Sequence, residues 1–380
     1  MDAPTPLWSR WHEQVKGLFP KLHGHQQNTF AVFVLGIVLC GSAVLQRVAE
    51  ELSLRGINPA KMTSIERRLA RFLANERIVV TEVWKQFLTH VLPSFRGQPL
   101  RFVLDMTPFN EEATIVSIGL LVHSRLLPVA WRVMAGQKKW DTGQWELVAQ
   151  LLDQIILHLG PADCTLIADR GLVGTPLVKL CHDRKWHYVL RVCKEHTCRR
   201  QMGRGKNWSS WCRFEHFIHQ KGQQWYGWAQ VWQEDTVEAY VSACWNEETH
   251  QAWLLISDRP AGKRRINEYG LRMRVEATFQ DSKSRGWNVE ASHVKDLAHL
   301  ERLLLALFVA VWWVSHLAAS CIHHGQRHRF DRRDRRDKSI FRLGRLWLLD
   351  ILRRATNAAA LTWCLPFQKQ RTSWKFALRF

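Results

Sequence analysis

The sequence predicts a mixed α/β core, its sheet covered by helices, with a helical region before it and a β-rich insertion within it. Three observations predict this. Beyond residue 99, short apolar strands recur, two of them end in an aspartate, and helical periodicity follows, as in strand–crossover-helix architectures. The first 98 residues carry helical patterning throughout. Residues 193–252 change style, with Gly, Arg, Trp and polar residues dominating. The expected organisation is a helical region over 1–98, an α/β region over 99–192 and 254–325, a β-strand insertion over 193–253, and a basic helical region over 326–380.

Taken in order, Phe30–Leu39 is an apolar helix, Gly41 breaks it, and Ser42 is placed to cap a second helix over Ala43–Leu52, a helix-turn-helix outline. Thr63-Ser-Ile-Glu66 has the form of a capping box. The helix it opens carries Arg67, Arg68 and Arg71 opposite Ile65, Leu69, Phe72 and Leu73. A basic stripe over an apolar stripe suits a helix that packs on a core and contacts DNA phosphates. The pattern alone fits a solvated surface helix equally well, and the charge of the whole chain favours DNA.

Arg101-Phe-Val-Leu-Asp105 reads as a strand ending in an acid, and Ile115–Val122 with Leu126–Met134 as a meander. Gln144–Leu159 is a helix stopped by Gly160-Pro161. Cys164-Thr-Leu-Ile-Ala-Asp169 is a near-continuous apolar strand of the buried kind, again ending in an acid. Leu172–His182 reads as a helix and Tyr188–Val192 as a strand. Within the insertion, Trp225–Gln233 and Val237–Trp245 have the look of antiparallel strands. Trp253-Leu-Leu-Ile-Ser257 returns to the apolar style, and His299–Ile322 is a long buried helix.

The 380 residues carry a formal charge of +20, which points to a polyanionic partner, nucleic acid first. Twenty Trp against four Tyr add aromatic planes suited to base stacking, although most are expected to be core. The nine cysteines include no C-x-x-C pair, and Cys193 with His196 and Cys198 lacks a second half, so structural zinc is not indicated. Scattered cysteines fit a reduced, cytoplasmic setting. The apolar runs Phe33–Cys40 and Leu303–Val314 are shorter than the roughly 18–20 residues that span a bilayer, so no membrane partner is expected.

The stretch Tyr269–Lys283 follows Pro260 and Gly262, contains no proline, and reads as a helix. At about 100° per residue, Tyr269, Arg272, Glu276 and Lys283 share an arc of about 60°, spread over about 21 Å. Leu271, Val275 and Phe279 form an adjacent apolar stripe. Alone, this is a solvated face with one Arg–Glu pair. Beside Asp105 and Asp169 it becomes a third carboxylate flanked by cations. Three carboxylates suit Mg²⁺, which takes phosphate oxygens as further ligands. Two such ions about 4 Å apart stabilise both oxygens of an in-line phosphoryl displacement.

Tyr269-x2-Arg272-x3-Glu276-x6-Lys283 matches the Y-(2)-R-(3)-E-(6)-K signature of the IS4 family of DDE transposases. Asp105 in V-L-D-M-T and Asp169 in L-I-A-D-R-G resemble the family's first two acids. The resemblance covers roughly residues 40–320, and Arg272-Met273-x-x-Glu276-x-Thr-Phe is similar to the Tn10/IS10-type members, relatives of the Tn5 transposase. It implies an RNase H-like catalytic core with an inserted β subdomain. It implies that Asp105, Asp169 and Glu276 hold two Mg²⁺ ions, for which Mn²⁺ substitutes. It implies cut-and-paste chemistry: nicking at terminal inverted repeats, hairpin formation and opening, and strand transfer into target DNA by a homodimer. Tyr269, Arg272 and Lys283 are expected to contact phosphates. Trp253 resembles the family's stacking tryptophan, with a strand-core role equally open, and Met273 stands where relatives place an apolar wedge. Arg170 is expected either to touch a phosphate or to pair with an acid. The alternatives are an RNase H-like nuclease without strand transfer, and a non-catalytic DNA-binding descendant.

Overall fold

A computed structural model describes residues 6–354, apart from 123–124, 137–139, 141, 204, 206, 273–286, 333 and 335–337. Among the described residues all ten strands join one sheet, in the order β3-β2-β1-β4-β5-β10-β9-β8-β6-β7. Strands β1 (Leu100–Pro108), β2 (Ala113–Val122) and β3 (Arg125–Ala135) form the antiparallel meander. Strands β4 (Cys164–Ala168) and β5 (His187–Arg191) then add in parallel to β1. An antiparallel 3-2-1 meander extended by parallel strands 4 and 5 is an RNase H-like core.

The remaining strands are antiparallel. β10 (Trp253–Ser257) pairs with β5 and carries β9 (Val237–Cys244), β8 (Gln224–Val231), β6 (Thr197–Arg200) and the two-residue β7 (Cys212–Arg213) outward. The insertion thus extends the catalytic sheet. Its return strand, β10, is the splice.

Helices cover one face of the meander and parallel strands. Helix α1 spans Pro6–Leu18, α2 Gly24–Cys40, α3 Leu45–Leu54, α4 Met62–Leu73, and α5 Val80–Val91. Helix α6 spans Gln144–Leu159 and α7 Thr175–Asp183. On the opposite face lies α8 (Lys263–Gly270), and α9 (Leu297–His323) and α10 (Ile340–Arg354) complete the chain. The last 26 residues of the expected basic C-terminal region lie outside the described residues. Several tryptophans are core struts whose indole N–H reaches a carbonyl: Trp11 to Ala31 at 2.8 Å, Trp84 to Val129 at 2.7 Å, and Trp312 to Pro128 at 2.8 Å. Such a partner is what a buried indole requires.

The expected helix-turn-helix outline is present, with shifted boundaries. Helices α2 and α3 meet at 89°. Gly41, at φ 68°, ends α2 in the left-handed conformation that glycine adopts without strain. Its missing Cβ also leaves room for the Arg345 guanidinium, which donates to the Leu39 carbonyl at 2.8 Å and ties α10 to the end of α2. The cap of α3 falls on Val44, and the Ser42 hydroxyl accepts from the Val44 N–H. Likewise α4 starts at Met62, so Thr63 sits inside the helix rather than capping it. The apolar run Leu303–Val314 is part of a 27-residue helix that is long and apolar enough to cross a membrane, and 94% of its apolar window is buried inside the protein.

Candidate active site

Strand β1 alternates faces: Phe102 and Leu104 join the large helix-covered core, while Val103 packs in a smaller cluster beneath α8. Asp105, two residues after Val103, therefore points to the α8 side. The strand was expected to end at Asp105; it runs on to Pro108 because pairing with β2 continues as far as Pro108↔Thr114. Pairing with parallel β4 stops at Leu104↔Ala168. Asp105 and Asp169 are thus each one residue past the last paired position of adjacent strands. Parallel pairing brings the two acids together at one end of the sheet.

Asp169 follows β4 directly, and its carboxylate Oδ1 accepts the Arg170 N–H at 2.8 Å, capping a short 3₁₀ turn over Arg170–Leu172. The helix expected over Leu172–His182 is accordingly split, and α7 begins only at Thr175.

Helix α8 carries the other half of the site. A helix was expected over Tyr269–Lys283, of which residues 273–283 lie outside the described residues; α8 is a separate element that was not expected, starting at Lys263, after Gly262 at φ 138°, and ending at Gly270. The reason is tertiary. K-R-R-I-N-E-Y-G looks too charged to bury, yet Glu268 accepts from Arg101 on β1 at 2.8 Å and pairs with Arg265 at 2.5 Å. Ile266 and Tyr269, one helical turn apart, then seat on Val103, Ile167, Val189 and Leu255. A buried ion pair is costly unless each charge is answered, and here both Glu268 oxygens are engaged.

The anchored helix aims two side chains at the acids. The Tyr269 hydroxyl donates to Asp169 Oδ1 at 3.0 Å, and its ring is wholly buried. Arg272, in the turn after α8, donates from Nη2 to Asp105 Oδ1 at 2.7 Å, and its Nη1 lies 3.6 Å from Asp169 Oδ2. One guanidinium therefore spans both carboxylates. Asp105 Oδ2 accepts from the Thr107 hydroxyl at 2.5 Å, and Arg191, at the end of β5, lies 3.6 Å from Asp169 Oδ1.

Burial pushes the Asp169 pKa up, but Arg272, the Arg170 N–H, Arg191 and the Tyr269 hydroxyl together outweigh it and hold the carboxyl below its ordinary value. The carboxylate is ionised at neutral pH. Burial and the neighbouring Asp169 charge push the Tyr269 phenol up to about 12, so it remains a hydrogen-bond donor. Burial opposes the Arg272 charge, but Tyr269, Asp169 and Asp105 reverse that and raise its pKa.

Two carboxylates spanned by one guanidinium have the chemistry of hard oxygen donors to a divalent ion, and so fit one. Glu276 lies outside the described residues, as do Met273 and Lys283. Among the described residues no group of three or more potential metal ligands is gathered.

The other predicted residues are placed as follows. Trp253, half-buried on β10, meets the Tyr269 ring edge-on at 5.1 Å and 73°, and its ring lies over Gly270. Arg170 is exposed and donates to Gln251 at 2.9 Å. On α4, Arg67 and Arg71 are exposed and Arg68 half-buried, opposite buried Ile65, Leu69, Phe72 and Leu73.

Sequence reasoning missed Arg191, Thr107 and a neighbouring cavity of about 500 Å³. Arg170, Arg191 and Lys194 give the cavity a basic wall, and Trp245, Ile218 and Leu254 an apolar one. Arg191 had a usable signal. It ends an apolar strand, as Asp105 and Asp169 were read to do, but only acids were sought there.

Residues 137–313, just under half of the chain, match the family model described as transposase DDE domain. The match spans Asp169 and the whole Tyr269–Lys283 signature; Asp105 lies upstream of it. With the RNase H-like sheet, it supports a DDE transposase. Domains of this kind use divalent metal ions. A cryo-EM structure of a piggyBac transposase synaptic complex with hairpin DNA is similar at 10% sequence identity, with a TM-score of 0.44, covering 91% of this chain and 77% of that one. No curated protein matches the chain.

Proposed function

We propose that this chain is an IS4-type DNA transposase that cuts its insertion sequence out at the terminal inverted repeats and joins it to target DNA. The observation that carries the reading is the meeting of Asp105 and Asp169 on Arg272, three functional groups that lie as much as 167 positions apart in sequence. Asp105, Asp169 and Glu276 would hold two divalent ions, Mg²⁺ or Mn²⁺, which stabilise charge on the attacking and leaving oxygens of a phosphodiester.

The chain's own residues prepare that chemistry. The Tyr269 hydroxyl, Arg191 and the Arg170 N–H fix the Asp169 carboxylate, and Thr107 fixes Asp105, which keeps the donor set preorganised. Arg272 and Lys283 take phosphates beside the scissile bond, and Arg67, Arg68 and Arg71 take phosphates further along the duplex. Trp253, whose ring meets that of Tyr269, would stack on a displaced base, with Met273 as the wedge. Two copies pair two element ends, and the work is done on DNA in the bacterial cytoplasm, at the nucleoid.

The test is incubation with Mg²⁺ and DNA bearing the element's own inverted repeats, followed by denaturing gels. Nicked, hairpin and integrated products are expected. Nicking with neither hairpin nor integration products would make it an RNase H-like nuclease instead. Intact end binding with no cleavage at all would make it a DNA-binding descendant. Trp253→Ala should reduce hairpin formation more than the first nick, and equal loss of both removes its stacking role.

A further inference from the structure

In the described geometry a guanidinium already reaches both acids of this site. Asp105 Oδ1 holds Arg272 Nη2 at 2.7 Å, and Asp169 Oδ2 faces Nη1 of the same guanidinium at 3.6 Å. The outer oxygens are already engaged: Asp105 Oδ2 by Thr107, and Asp169 Oδ1 by Tyr269, the Arg170 N–H and Arg191. Among the described residues Arg272 thus reaches both carboxylates, where an ion shared by the two acids would have to sit.

We propose that Arg272 and the divalent ion compete for Asp105 and Asp169, and that a DNA phosphate resolves the competition by drawing Arg272 away, so that metal binding is coupled to DNA binding. The inference rests on the metal-dependent transposase reading and deepens it. Arg272 and Arg191 differ in how they are held. Arg191 grows from central strand β5 and reaches the Ala252 carbonyl at 3.4 Å as well as Asp169. It is the fixed positioning residue. Arg272 stands in the turn after α8. Reaching both acids, it is the group an ion shared by them must displace. A guanidinium matches phosphate as well as carboxylate, with paired N–H donors for either. Exchange therefore swaps one charge-assisted pair for another, while the two carboxylates, now without the cation that spanned them, gain affinity for a divalent ion.

Coupling of this kind is reciprocal: if DNA tightens the ion, the ion tightens DNA by the same factor. Mn²⁺ binding is measured by electron paramagnetic resonance on the full chain, with and without a duplex carrying the inverted repeat. The Asp105→Asn/Asp169→Asn variant in each condition corrects for ions held by DNA phosphates. Acid-dependent Mn²⁺ affinity should rise about tenfold or more with DNA. Arg272→Gln should bind Mn²⁺ that tightly without DNA and gain little when DNA is added, while Arg272→Lys stays near the native protein. Equal affinity of the native protein with and without DNA overturns the competition, and needs no variant to fold. So does an Arg272→Gln protein of native circular dichroism whose affinity is unchanged or weaker. Absence of any acid-dependent Mn²⁺ binding in every condition would instead remove the metal-dependent reading itself.

Discussion

The two halves of the ten-stranded sheet are built for different work. In the half that carries the acids, β4 is buried along its whole length, and apolar clusters cover both of its faces. In the inserted half, β8 runs from exposed and half-buried residues at Gln224–Trp228 to buried Ala229 and Val231, with Trp225, Tyr226 and Trp228 on its surfaces. One half holds two half-buried carboxylates at the end of its buried strands. The other offers aromatic and basic surface beside them. The contrast teaches that rigidity is concentrated where charge has to be held in place. Parallel strands buried on both faces leave no register freedom to the residue that follows them.

The comparison breaks most visibly if the acids are dispensable. Asp105→Asn or Asp169→Asn should lower nicking by on the order of 10³-fold or more, with a melting temperature close to native, since the amide keeps the shape and loses the charge. Quantified cleavage on denaturing gels checks this; retention of a tenth of the activity by either variant would remove that residue from the site.

Next in size is the anchor of α8. Glu268→Gln leaves Arg265, whose side chain is 3% exposed, and Arg101 without their shared carboxylate, and should cost about 3–5 kcal/mol in urea unfolding. A change below 1 kcal/mol would show that α8 does not depend on the pair. Leu166→Ala, in the middle of β4, should cost about 2–5 kcal/mol. If the matching truncation in the insertion, Val241→Ala, is no cheaper, the claim of unequal rigidity fails.

Behind the acid-bearing half, α9 buries His316 completely, and burial lowers its pKa from 6.5 to about 4. A folded-state pKa below the unfolded one means that the contribution is whole above pH 6.5 and is lost as pH falls towards 4, because only the unfolded chain takes up the proton. The native protein should lose up to about 3 kcal/mol more than His316→Phe between pH 7 and pH 4. Parallel losses in chemical denaturation at the two pH values would contradict it. The smallest effect belongs to the inserted half: Tyr226→Ala, at a ring 37% exposed, should stay within about 0.5 kcal/mol of native stability.

Much of this was legible in the residues. Gln144–Leu159 forms a helix over the stretch its periodicity marks, because its breakers are local: Gly143 before it and Gly160-Pro161 after it. The insertion hairpin is observed within two residues of its expected bounds, since its alternation is also local. Helix α8 was not expected as an element, because Arg265 and Glu268 look solvated until Arg101, 167 positions from Glu268, completes the pair, and most of the helix expected over Tyr269–Lys283 lies outside the described residues. The described half of the signature, Tyr269 and Arg272, does reach Asp169 and Asp105. Glu276 and Lys283 lie outside the described residues.

What the sequence determined by itself is chemical inventory: a strongly basic chain, acids after apolar strands, and a tyrosine and cations at signature spacing around a glutamate. Only the tertiary structure decided how those groups face one another. It set Asp105 beside Asp169 through the parallel pairing of β1 with β4, made the insertion part of the same sheet, buried the Tyr269 ring, and put Arg272 between the two carboxylates. Periodicity reports which face of an element is apolar, since that depends on neighbours a few residues away. Which strand lies alongside which is set by the packing of surfaces dozens of residues apart, and the charges that meet at their ends follow from it.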